Sequence, residues 1–173
     1  MEFTFVTKYN HTAVTAMAKA LRKTVRSKRN RRSRLFGIIV VIFALFLLFP
    51  AGDEKFVPDF KTLITLAAVA VLIFTLIFED RINGYIAIKR MLPGLKSSTV
   101  TFSQDSYFSQ TEIGSSQFSY DNIVALAENN DYFVFIFSNS HAQVYDKKSL
   151  SGGTAEDFRS FIQTVTEKEI ISF

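Results

Sequence analysis

Two histidines, His11 and His141, are the natural places to look for metal or acid–base chemistry, and they stand 130 residues apart in a 173-residue chain. Neither has a second ligand at metal-binding spacing, so each is read as a solvated polar residue, one near a helix start and one in a turn. Cysteine is absent, which excludes disulfides, thiolate metal sites and a cysteine nucleophile. Glu128 and Asp131 could form a carboxylate pair, but they read more simply as a strand-end acid and a turn acid. Residues 149–154, SLSGGT, lack the lysine and spacing of a phosphate loop and read better as the lead-in to a capped helix. Asn10-His11-Thr12 matches a glycosylation acceptor, which a cytoplasmic segment does not use. Lys147 and Lys148 remain as candidate contacts for a partner or an anion. No catalytic, cofactor-binding or metal-ligating residue is nominated, no cofactor is expected, and the chain is read as non-enzymatic.

The elements that would position any site are dominated by two apolar blocks. Residues 35–49 and 62–78 carry no charge, and the first uncharged stretch runs on to Gly52. A membrane-spanning helix takes about 17–25 residues. Residues 35–49 are apolar on every face, whereas a soluble core helix keeps a polar stripe, and a domain of this size has little room to hide two such helices. A cleaved signal peptide is excluded by the late start of the block and by the second span. Spans at about 35–51 and 62–78 therefore make a transmembrane hairpin over 35–80. Gly37 and Ala44 share one face of the first span, and Ala67, Ala68 and Ala70 give the second a small-residue patch suited to close packing.

Charge sets the orientation. Residues 1–34 hold ten Lys or Arg against the single acid Glu2, while the rest of the chain holds 10 basic and 15 acidic residues. The connector between the spans is poor in Lys and Arg and both outer flanks are rich, so both termini are expected in the cytoplasm. Arg29, Arg31, Arg32 and Arg34 are the residues assigned to orientation, with membrane lipids as their partners. Residues 19–34 carry nine basic residues and no acid. They lack the interleaved aromatics of a single-strand binder and a groove-entering element, so nucleic acid is not expected as a partner.

Outside the spans the reading is α+β. Residues 2–6 alternate as a short strand, and Val14, Met17, Leu21 and Val25 lie on one face of a basic amphipathic helix capped by Asn10 or Thr12. That helix is expected to lie along the cytoplasmic surface or to run on into the first span, and residues 1–34 are treated as one N-terminal segment. Residues 81–98 read as a juxtamembrane helix and linker ending at Pro93-Gly94. From 99 to 173 about six short strands precede one closing helix: alternation around Val100 and Phe102, a run at 106–111, a turn at 114–117, then 123–127, 132–137 and 142–145. Residues 132–137 are apolar throughout, which suits a central strand covered on both faces. Phe158, Phe161, Ile162 and Val165 recur at helical spacing behind a Thr154 cap.

FSYDNIVALAENNDYFVFIF and VYDKKSLSGGTAEDFRSFI, set behind an EFTFVTKYN opening, a basic helix and a hairpin, resemble the YcxB-like family of bacterial membrane proteins. The matching positions are Tyr120, Ile123, Glu128, Tyr132, Phe133, Lys147 and Phe158, with tyrosine at 120 where the family commonly has tryptophan. The resemblance implies a pleckstrin-homology-like C-terminal domain and a multi-pass protein of the bacterial cell membrane. It implies no catalytic motif. Residues 97–173 hold four basic residues against ten acids, so such a domain is repelled by anionic lipid except locally at Lys147 and Lys148. The function expected is a non-enzymatic inner-membrane protein whose cytoplasmic domain binds a protein partner or assembles with itself. Its alternatives are self-protection or stress defence against antimicrobial peptides, and an oligomeric transporter accessory subunit.

Overall fold

The computed structural model describes residues 2–48 and 58–173. Phe3, Phe5 and Thr7 point inward from β1 (Phe3–Lys8), and Asn10 then caps α1 (His11–Lys23) by accepting from the Ala13 amide at 2.9 Å. After a break at Thr24 come α2 (Ser27–Phe46) and α3 (Phe60–Arg90). The remaining strands are β2 (Ser97–Phe102), β3 (Ser106–Thr111), β4 (Gly114–Ser119), β5 (Ala125–Glu128), β6 (Tyr132–Ile136) and β7 (Ala142–Asp146). The chain ends with α4 (Ala155–Thr166) and β8 (Ile170–Ser172). The fold is α+β, with two four-stranded sheets ordered β1-β2-β3-β4 and β7-β6-β5-β8.

By its contacts the chain divides into one unit of residues 1–27 with 83–173, and a second of residues 28–82. The first unit therefore differs from the sequence reading, which kept residues 1–34 apart from 99–173. Its reason lies in β1: Phe3 pairs with Phe102 and Lys8 with Ser97 in an antiparallel ladder, and Phe3 and Phe5 are fully buried. Those rings join Phe102, Phe133, Phe135, Tyr145 and Phe158 in the main core. Phe158 of α4 is its hub, with ring centroids 4.7 Å from Phe5, 5.0 Å from Phe102 and 5.1 Å from Phe133. Burying each such side chain contributes about 2 kcal/mol.

A second core explains α1. All five residues of β6 are buried, as the unbroken apolar run predicts, so its outer face must also be covered. Ala13, Ala16, Ala20 and Leu21 of α1 pack there on Tyr132, Val134, Ile136 and Val144. Leu21 of the expected stripe, with Met17 and Val25 partly buried beside it, thus packs inside the domain, and the break at Thr24 separates α1 from α2. Two further details differ from expectation. Residues 114–117, read as a turn, form most of β4, because the two-residue turn is Glu112-Ile113 and Thr111 pairs with Gly114. The expectation of antiparallel strands is modified by β8, which runs parallel to β5.

In the second unit, Arg34 donates from Nη2 to the Leu76 carbonyl at 2.9 Å and approaches Glu79, while a Cβ on Gly37 would stand 3.3 Å from the Leu76 methyls. Contacts at 34 with 79 and 37 with 76 mean that α2 and α3 run in opposite directions there. Leu35, Phe36, Phe46, Leu63, Val71 and Ile77 are exposed. Among the described residues one helix, Phe60–Arg90, is long and apolar enough to cross a membrane. Its helical geometry is interrupted at Phe78. The end of the other expected span, 49–51, lies outside the described residues.

Candidate functional site

Three of the residues that carry the family resemblance, Glu128, Phe133 and Lys147, come together with Arg159 as a fastening. Glu128 ends β5; its Oε2 accepts from Lys147 Nζ at 2.7 Å, and its Oε1 accepts from Arg159 Nε at 2.9 Å. Lys147 also donates to the Asn129 carbonyl at 2.5 Å and sits 4.4 Å from the Phe133 ring centroid, a cation–π geometry. One carboxylate thereby ties together β5, the turn after β7 and α4. Burial pushes the Glu128 carboxyl up, but the hydrogen bonds from Arg159 and Lys147 outweigh it and hold it below its ordinary value. Tyr120 is buried and donates to the Ser103 carbonyl at 2.6 Å, and Ile123, Tyr132 and Phe158 are core residues.

The sequence-nominated groups fall unevenly on this frame. Lys147 is only 13% exposed and is committed to Glu128, so it is not a free contact for an anion or partner; Lys148, at 80%, is exposed and lies 3.4 Å from Asp131. Asp131 thus faces Lys148, and Glu128 faces Lys147 and Arg159, so the two acids do not act as a pair. Arg29, Arg31 and Arg32 are exposed on α2, and Arg34 is half-buried against α3. His11 lies 3.3 Å from the Thr15 hydroxyl and His141 beside the Phe137 ring. SLSGGT is the seam that receives β1: Val6 donates to Ser149 Oγ at 3.0 Å, Ser151 bridges to Thr4, and a Cβ on Gly152 would strike the Glu2 carbonyl. Thr154 then caps α4 in a reciprocal box with Asp157.

The surface feature that sequence reasoning missed is β4. It is the last strand of its sheet, pairing with β3, and Gly114, Ser115, Ser116 and Gln117 are exposed. Edge strands are ordinarily blunted by charge, proline or bulges. GSSQFS has no charge and no proline, and its register with β3 is unbroken. Its weak hydrophobic alternation hid it among turn residues.

These observations define an α+β domain with an exposed sheet edge, in a chain bearing a helix able to cross a membrane. Residues 102–162 match the family model of the YcxB-like protein, so this segment is a YcxB-like domain, as the sequence motifs implied. No curated protein and no solved structure matches the chain.

Proposed function

We propose that this is a two-span protein of the bacterial inner membrane, with both termini cytoplasmic, whose β domain is a non-catalytic module for binding a protein segment or a second copy. The membrane half of the reading is supported by the split of the domain. β1 and β2 pair strand to strand, yet residues 28–82 separate them from α1 onward, so the chain must return to the side it left. With α3 crossing once, residues 35–51 supply the second crossing and the antiparallel contact of α2 with α3 supplies the hairpin. The two sheets closed by α4 favour a pleckstrin-like architecture.

The interaction half rests on one observation, the free and uncharged edge of β4. An extended segment adding there gains main-chain hydrogen bonds along the strand, the physics of β-augmentation. The test is photo-cross-linking from position 117 of the full-length protein in native membranes, with half-exposed position 168 as the control. A discrete adduct to a protein or to a second copy is expected from 117 and not from 168, and it should vanish when Ser115→Lys and Ser116→Lys place charge on the edge. Equal cross-linking from both positions, or adducts indifferent to the lysines, sinks the reading.

A further inference from the structure

A groove of about 680 Å³ opens in the first unit between α1, the end of α3, the β3–β4 hairpin and the start of β7. It exists because α3 comes close to α1 at Gly84, where a Cβ would stand 3.0 Å from Thr15 Cα. Val14, Met17, Ala87, Met91, Leu95 and Ile113 supply its apolar lining. Besides Met1 the chain has two methionines, Met17 and Met91, and both line this groove. Methionine adapts to varied apolar shapes where branched side chains do not.

No Asp, Glu, Lys or Arg lines it, in a chain with 36 such residues; one imidazole, His141, does. Tyr9, Ser109 and Gln143 supply hydroxyls and an amide. Tyr9 donates to Ser98 Oγ at 3.1 Å, and Gln143 Oε1 accepts from the Tyr145 hydroxyl at 2.6 Å, leaving the amide nitrogen of Gln143 as a donor. Burial and the nearby Tyr107 and Tyr9 hydroxyls hold the Tyr145 phenol well above its ordinary range. An extended peptide instead brings an amide at every residue and needs partners at intervals of about 3.3 Å.

A volume of this size suits a small-molecule ligand. We infer that the groove binds an uncharged single-chain lipid of the monoacylglycerol class, its hydroxyls on Tyr9, Ser109 and Gln143 and its chain along Met17, Met91 and Leu95. The lining repels charge because an ionised head would lose its hydration with no counter-ion to meet it. The inference rests on the membrane half of the proposed function, since Ala87 follows the apolar block by nine residues and the bilayer supplies the ligand. It does not depend on partner binding at β4.

The test uses full-length protein in phosphatidylcholine nanodiscs and a fluorescent monooleoylglycerol, with empty discs as background. Saturable binding is expected, at least tenfold weaker for fluorescent oleate. Ala87→Phe, which fills the groove, and Met91→Glu, which charges its half-exposed wall, are each expected to weaken binding at least tenfold. Cross-linking from position 117 and thermal unfolding should be unchanged in Met91→Glu, which decides the matter if Ala87→Phe fails to fold. Binding no stronger than in empty discs, equal binding of oleate, an unaffected Met91→Glu, or a peptide retained in native mass spectra overturns the inference. Loss of cross-linking alone would count against the β4 reading and leave this one standing.

Discussion

Glu128 and Glu112 do opposite jobs with the same side chain. Glu128, 17% exposed, neutralises two cations from different elements, and Glu128→Ala would leave Lys147, 13% exposed, without its carboxylate and Arg159 with Glu156 as its acid partner. The expected loss is about 2 kcal/mol of stability, measured by denaturant unfolding of the full-length protein. Exposed Glu112 instead accepts from the Ser97 amide at 3.0 Å, the Ser97 hydroxyl at 2.8 Å and the Lys96 amide at 3.2 Å, tying the β3–β4 turn to the start of β2. Hydrogen bonds from its own amide and from Ser97 hold its carboxyl down at about 2, from an ordinary 4.5. A depressed folded value means that the contribution is complete above about pH 4.5 and lost as pH falls towards about 2. The gap in melting temperature between the native protein and Glu112→Gln should therefore narrow steadily from pH 5 to pH 2.5. A gap independent of pH would refute the role. None of these partners is visible in sequence, where Lys147 and Lys148 look alike; the cation–π seat over Phe133 separates them only once β6 and β7 pair.

Helices and strands show where local pattern suffices. A cap at Asn10 or Thr12, the cap at Thr154 and the buried run of β6 are readable because each depends on residues a few positions apart. The destination of α1 is not, since an apolar stripe fits a bilayer surface and a sheet face equally well. What decides it is the apolar outer face of β6 and β7, on which Ala13, Ala16, Ala20 and Leu21 pack. α1 also meets the end of α3 at Gly84, and Gly84→Val would drive side-chain atoms into Thr15, whose backbone nitrogen and Cα stand 3.1 and 3.0 Å from the added Cβ. A loss of about 1–3 kcal/mol is expected. Since the groove depends on the same approach, the lipid probe should bind more weakly too. Unchanged stability in thermal unfolding would show that the two helices part freely.

Taken whole, the protein is a β domain interrupted after its first strand and helix by residues 28–82. On the proposed topology the domain cannot close until β1 and β2 lie on one side of the membrane, which would couple topology to folding. Because the chain has no native cysteine, single cysteines report sidedness cleanly. Cysteine at position 54 in the connector should react with an impermeant maleimide on intact cells, and cysteine at 168 only after permeabilisation. Replacing Arg29, Arg31, Arg32 and Arg34 with Glu should erode that asymmetry, whereas labelling of position 168 in intact cells would overturn the orientation. Composition and periodicity were enough for the apolar blocks, the charge asymmetry, the caps and a β-rich end, because those signals are written in neighbouring residues. The pairing of Phe3 with Phe102, the burial of α1, the engagement of Lys147 and the free edge of β4 came only with the fold. Each depends on partners brought together from distant parts of the chain, and such contacts leave no periodic trace in a single sequence.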